Sequence, residues 1–319
     1  MRNGAVRGRG GRRSRDGTHT ARGDTGPGPS RRSLRWGHET RTSPSARGPS
    51  PGRGGALLRR PRAPGLGRSG RVPGPAGRRA AGRRGLAAPD KKELAQKIVA
   101  SAENSTLDWR SAYGYIQDIG DGQGYTAGLI GFCTGTHDLL VLVEHYTKDH
   151  PGNGLARYLP ALRKVDGTDS HEGLDPGFPA AWRKEAAVAA FRKAQDTERD
   201  RVYFDPAVRR AKLDGLGTLG QFVYYDAMVM HGPGTGPDGF YGLRRRAMAQ
   251  ADTPAEGGSE TSYLDIFLDI RRTAMKSESA HHDTTRIDTA QRKFLYDGNL
   301  DLDAPLEWKV YGETYRVAR

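Results

Sequence analysis

A single cysteine, Cys133, in 319 residues rules out an internal disulfide and any cysteine-based zinc site. In the apolar context Ile130-Gly131-Phe132-Cys133 it reads as a buried structural thiol and not as a nucleophile. No stretch approaches the roughly 20 consecutive apolar residues of a membrane helix, so no membrane partner is expected. A signal peptide is equally unreadable, because the best apolar candidate, Ala56-Leu57-Leu58, is cut off at once by Arg59-Arg60. Lysine is missing altogether from residues 1–88, which hold 22 Arg against 3 acids, a balance of +19. The formal charge of the whole chain is +14, so residues 89–319 carry −5. The basic character therefore belongs to the leader, and the remainder favours a cationic partner by sign.

Residues 1–88 are built from Arg, Gly, Pro, Ala and Ser with scattered single apolar residues. Such a segment cannot bury enough surface to offset its chain entropy, and the expectation is a disordered leader. Clustered arginine would suit a nucleic-acid backbone, the one route by which nucleic acid enters as a partner. The competing expectation is a solvated tail, or a misassigned start, since the dominant residues are those of GC-rich codons.

The folded part should run from 89 to 319 as one catalytic domain, mainly α, with a small β-region. Pro89-Asp90 starts a helix in which Leu94, Ile98, Val99 and Ala102 form an apolar stripe, ending near Glu103-Asn104. Aromatics, β-branched residues and repeated glycines over 113–132 indicate short strands. Helices are expected over 138–146, from about 153 through Leu162, and over a long Ala-rich run, 180–202, that could span two lobes. Further helices fall at 222–230, an almost wholly apolar run around Asp226, and near 239–251, 261–276 and 288–296. The sum is an α-rich, two-lobed architecture with a cleft.

Residues 101–132 combine acids, aromatics and glycines more densely than any other stretch. Glu103 lies at a helix end beside Leu107 and Trp109, where partial burial would keep a carboxyl protonated as a general acid. Asp121 sits in a Gly-Asp-Gly turn on a different element, as a base facing that acid must. Taken singly, a helix-end Glu is usually a solvated charge and an Asp-Gly pair an ordinary turn. Together they suit an inverting glycosidase, in which acid and base stand about 6.5 to 9.5 Å apart with a water between them. Asp108 and Asp118 are rival bases, and the hydroxyl of Thr126 could hold the water.

At this point the motifs Ser101-Ala102-Glu103-Asn104-Ser105, Leu107-Asp108-Trp109, Asp118-Ile119-Gly120-Asp121-Gly122 and Gly131-Phe132-Cys133 resemble the chitosanases of glycoside hydrolase family 46. The likeness continues through His145-Tyr146-Thr147, Glu198-Arg199-Asp200-Arg201, Tyr224-Tyr225-Asp226, His231-Gly232-Pro233-Gly234 and Gly298-Asn299-Leu300. It covers about 89–319 and none of the leader. The resemblance implies an extracellular, monomeric, endo-acting inverting hydrolase of chitosan or glucosamine oligosaccharides on a lysozyme-like fold. It implies that Glu103 is the general acid, Asp121 the general base and Thr126 the residue that positions the water. Asp226, Arg271 and Arg286 match an ion network supporting the acid, for which a purely structural cluster is the alternative. Asp138 and Glu278 match acids lining the cleft, and Tyr115 and His231 join them as substrate-binding candidates. Two positions depart from the family pattern, His282 where an acid is usual and Gln123 where a basic residue is common, which bears on affinity and pH dependence and not on the reaction. A lysozyme-like hydrolase of acetylated polymers is the neighbouring alternative.

No metal or other cofactor is expected. His231, His281 and His282 show no ligand spacing, the glycines at 120, 122 and 124 do not lead from a strand into a helix, and no serine sits in a nucleophile elbow.

Overall fold

The computed structural model describes residues 85–319 except Asp121 and positions 278–282. The expected leader lies outside the described residues up to position 84. Gly85 to Ala88 already belong to the fold, since Leu86 is fully buried and its N–H bonds to Oε1 of Gln221 at 2.9 Å.

Helix α1 (Pro89–Glu103) starts with Pro at its first turn, where no N–H is required, and buries Leu94, Ile98, Val99 and Ala102. A 3-10 turn, Trp109–Gly114, leads into an antiparallel sheet of β1 (Ile116–Asp118), β2 (Tyr125–Ala127) and β3 (Phe132–Cys133). Thr126 in the central strand stands opposite Gln117 on one side and Cys133 on the other. Helices α2 (Asp138–Asp149), α3 (Leu159–Val165) and α4 (Phe178–Glu185) pack with this sheet around an aromatic core. There Trp182 meets Phe191 edge-on at 4.9 Å, and Tyr146 lies the same distance from Phe191.

The long helix expected over 180–202 is broken. Helix α4 ends at Glu185, and α5 (Ala189–Arg199) begins after Val188, whose backbone is extended. The guanidinium of Arg192 reaches back to the carbonyls of Ala186 and Ala187, at 3.1 and 2.9 Å, so the break satisfies the backbone that a continuous helix would have paired. The run that joins the lobes lies further on. Helix α5 passes through a π-helical turn, Asp200–Phe204, into α6 (Asp205–Leu213). Pro206 in the first turn of α6 offers no N–H to the preceding turn, and the wider π turn accommodates that loss. One end of this run packs on α2 and the other on α7 (Thr218–His231).

The second lobe is built around α7, buried along nearly its whole length, with α8 (Phe240–Met248) and α9 (Glu260–Ser277) against it. A second π-helical turn, Arg286–Gln291, runs into α10 (Arg292–Tyr296). The chain then forms a hairpin, β4 (Leu306–Val310) and β5 (Glu313–Val317), which the sequence reading had not placed. Its turn is Tyr311-Gly312, both at positive φ (53° and 85°), as a two-residue hairpin of primed type demands. Among the described residues no helix is long and apolar enough to cross a membrane.

Candidate active site

Glu103 is the last residue of α1 and is 9% exposed. Two anchors hold that helix end. The indole N–H of buried Trp308 on β4 donates to the hydroxyl of Ser101 at 2.9 Å, and Ser101 donates to the carbonyl of Ile98 at 2.7 Å. The same hairpin also holds the π turn after Thr285, whose side-chain oxygen accepts the N–H of Tyr311 at 3.0 Å. Thr289 closes the contact by bonding the carbonyl of Lys309 at 2.6 Å. One hairpin therefore braces both the helix that carries Glu103 and the turn that carries Arg286.

Arg286 is the hub behind the acid. Its Nη1 pairs with Oε1 of Glu103, its Nε donates to Asp226 at 2.9 and 3.0 Å, and its Nη2 lies 2.8 Å from Oδ1 of the same residue. Arg271 donates to Oδ2 of Asp226 at 2.9 Å and to Oε1 of Gln291 at 2.8 Å, and the amide of Gln291 donates to Asp226 at 2.6 Å. The structure thus brings Glu103, Asp226, Arg271 and Arg286 into one buried cluster and adds Gln291, which no sequence signal had marked. Burial works to raise the Asp226 carboxyl, but the charges of Arg286 and Arg271 outweigh it and hold the group below its ordinary 3.8. Desolvation lowers Arg271, and the neighbouring charge of Arg286 acts in the same direction. Desolvation opposes the charge on Arg286 too, yet Asp226 and Glu103 on its two sides raise it.

In front of the acid, Glu103, Asn104, Tyr115, Thr126 and residues 128–131 line one small pocket. The turn after β2 must be glycine at 128, where φ is +76° and an added Cβ would stand 2.5 Å from Oε1 of Gln195 and 3.1 Å from the ring of Trp182. Thr126 is 1% exposed, with its hydroxyl 3.3 Å from Sγ of Cys133. Asp121 lies outside the described residues, as do Glu278 and His282. Of the rival bases, Asp118 accepts the N–H of Gly120 at 2.8 Å and sits 3.2 Å from Nε2 of His171, and Asp108 is exposed beside the first 3-10 turn.

The structure places Asp138 at the start of α2, where Oδ1 accepts the N–H of Cys133 at 2.8 Å and the hydroxyl of Thr136 at 2.7 Å. Burial pushes its carboxyl up to about 6, against the opposing pull of those bonds. His231 closes α7 and is buried. Gln123 shapes the loop before β2 through its carbonyl, which accepts the N–H of Gly135 at 2.9 Å and the hydroxyl of Thr134 at 3.2 Å. Tyr311, like Gln291, is a residue the sequence reading missed. Although the residue as a whole is 43% exposed, desolvation of its hydroxyl and then the field of Glu103 push that group up to about 12. The alternation of residues 306–310 and 313–317 around Tyr-Gly carried the signal for that hairpin. Among the described residues, no three His, Cys, Asp or Glu side chains gather as a metal site.

Comparison with known proteins adds to this geometry. The model of glycosyl hydrolase family 46 matches residues 97–306. A chitosanase of Streptomyces sp. (strain N174) is 61% identical over 233 residues, 73% of this chain and 84% of that protein. A chitosanase of Nocardioides sp. (strain N106) is 56% identical over 246 residues, 77% of this chain and 88% of that one. The solved structure of a chitosanase, OU01, co-crystallised with substrate superposes with a TM-score of 0.72 at 55% identity, covering 74% of this chain and 100% of that chain. The complex of a Gynuella sunshinyii chitosanase with chitotetraose gives a TM-score of 0.66 at 33% identity, over 72% of this chain and 97% of that one.

Proposed function

Since this chain belongs to glycosyl hydrolase family 46, we propose that it is an extracellular chitosanase that cuts β-1,4 links inside glucosamine polymers by single displacement. The observation that carries the reading is the helix-end Glu103, backed by a buried guanidinium and opening with Thr126 onto one pocket. Arg286 engages Oε1, and the second oxygen of Glu103 gives its proton to the departing glycosidic oxygen. Asp121 takes a proton from a water on the opposite face of the sugar, Thr126 holds that water, and the water attacks the anomeric carbon as the bond breaks. Asp226, Arg271 and Gln291 fix Arg286 and act on the reaction only through it.

Inversion has a direct readout. Proton NMR of the first products from a glucosamine hexamer should show the α-anomer before mutarotation, and Asp121→Asn should remove that signal. A first product in the β configuration would exclude single displacement.

Asp138 serves the substrate in this reading by pairing its ionised carboxyl with a glucosamine ammonium. Ionisation at about 6 makes KM for a glucosamine oligomer fall as the pH rises through that value. Asp138→Asn should show a KM roughly tenfold higher than the parent near pH 7, the size of one charge-assisted bond, with the two curves converging at lower pH. The sign for stability is the reverse of the usual carboxylate. A folded value above 3.8 means that ionisation works against the fold as pH rises through about 6, so the Tm of Asp138→Asn should hold or rise at neutral pH. A weakened KM with an intact Tm separates lost binding from lost folding.

A further inference from the structure

Thr126 and Cys133 are paired across β2 and β3, and both side chains are almost fully buried. The thiol of Cys133 lies 3.2 Å from the carbonyl oxygen of Gly131 and 3.3 Å from Oγ1 of Thr126. A carbonyl can only accept, so the single S–H proton goes to Gly131. Sulfur then serves Thr126 as an acceptor, and of the two directions open to the contact between Oγ1 and Sγ we take the one in which the hydroxyl donates. With donors running Thr126 to Cys133 to Gly131, Oγ1 keeps its lone pairs for an acceptor role in the pocket that Thr126 lines together with Glu103. We propose that Cys133 is a positioning residue that fixes the hydroxyl of Thr126 as a pure acceptor.

The inference rests on the reading of Thr126 as the holder of the attacking water. A water that gives one proton to a general base and the other to an acceptor presents its own lone pair to the anomeric carbon. A donating Thr126 would instead take one of the water's two lone pairs, lower its nucleophilicity and leave one of its protons without the acceptor that orients it. The thiol acts here through its hydrogen-bond direction and touches no reacting atom.

Serine and valine at position 133 separate polarity from packing. Cys133→Ser keeps one donor and one acceptor, whereas Cys133→Val fills the space and removes both. We expect Val to lower kcat on a glucosamine hexamer about tenfold with KM unchanged, the effect of one hydrogen bond expressed in the transition state, and Ser to stay within about threefold of the parent. In a Thr126→Val background, Cys133→Val should change kcat no further. Valine matching the parent while Thr126→Val is impaired would overturn the inference alone. Unimpaired Thr126→Val would remove the water-holding role and the inference with it. A readout independent of turnover comes from the only thiol in the chain, whose S–H stretching band is unique in a Raman spectrum. The band should lie at the low frequency of a hydrogen-bonded thiol and shift in Thr126→Val; a band typical of an unbonded thiol would overturn the inference even in a protein that cleaved no chitosan.

Discussion

Glu103→Gln should lower kcat on a glucosamine hexamer by about 100- to 10,000-fold, the range over which a positioned general acid contributes, with KM little changed. Glutamine can still accept the bond from Nη1 of Arg286, so the side chain keeps its place. It has no proton to give the leaving oxygen. The loss should therefore depend on the leaving group. An aryl glycoside of glucosamine oligomers, whose phenolate departs without protonation, should recover much of the rate in the variant, while the hexamer should not. Reducing-end release and aryl release measured side by side test this. Equal losses on both substrates would assign Glu103 a role other than proton donor, and no loss on either would remove it from the reaction.

Asp226→Ala should cost about 3–5 kcal/mol of stability, the range for breaking one partner out of a buried ion cluster. Asp226 is 1% exposed and accepts from Arg286, Arg271 and Gln291 together, so alanine leaves two buried guanidinium groups facing each other without their shared acceptor. For a folded part of this size the fall in Tm should be about 10 °C, measurable by calorimetry. The pH dependence has a definite sign. Asp226 is held below its ordinary 3.8, so its contribution is fully present above that value and is lost as pH falls through the lower folded value. The gap in Tm between parent and variant should thus narrow only in acid below about pH 4. Activity should fall as well, because Arg286 loses the anchor that aims it at Glu103. A Tm within a degree of the parent at neutral pH would show that the cluster contributes little to the fold.

Much of this organisation is legible along the chain. The 3.6-residue stripe of Leu94, Ile98, Val99 and Ala102 specified α1 nearly to its ends, and the apolar run around Asp226 specified a core helix holding one carboxylate that needed a partner. Where the reading failed, a local rule met a tertiary contact. Ala-rich composition favours a continuous helix from 180 onward, but Arg192 pairs the carbonyls of Ala186 and Ala187 and α4 ends there. The alternation in residues 306–317 is itself a local signal and is written around Tyr311-Gly312.

The sequence by itself determined the family likeness and the helix end that carries Glu103, and it offered Asp121 in a glycine turn as that residue's counterpart, since such patterns are written over a few neighbouring residues. It also determined that the net charge of residues 89–319 is opposite in sign to that of residues 1–88. Only the tertiary structure decided what stands behind the acid. Arg286 reaches Glu103 across 183 positions of chain, Gln291 joins the cluster as a neutral residue that carries no signal of its own, and Trp308 on a C-terminal hairpin holds the turn of α1 from which Glu103 projects. Helix and turn patterns arise from contacts a few residues apart and are written locally. A buried charge cluster arises from desolvation, which exists only once distant segments have closed over it.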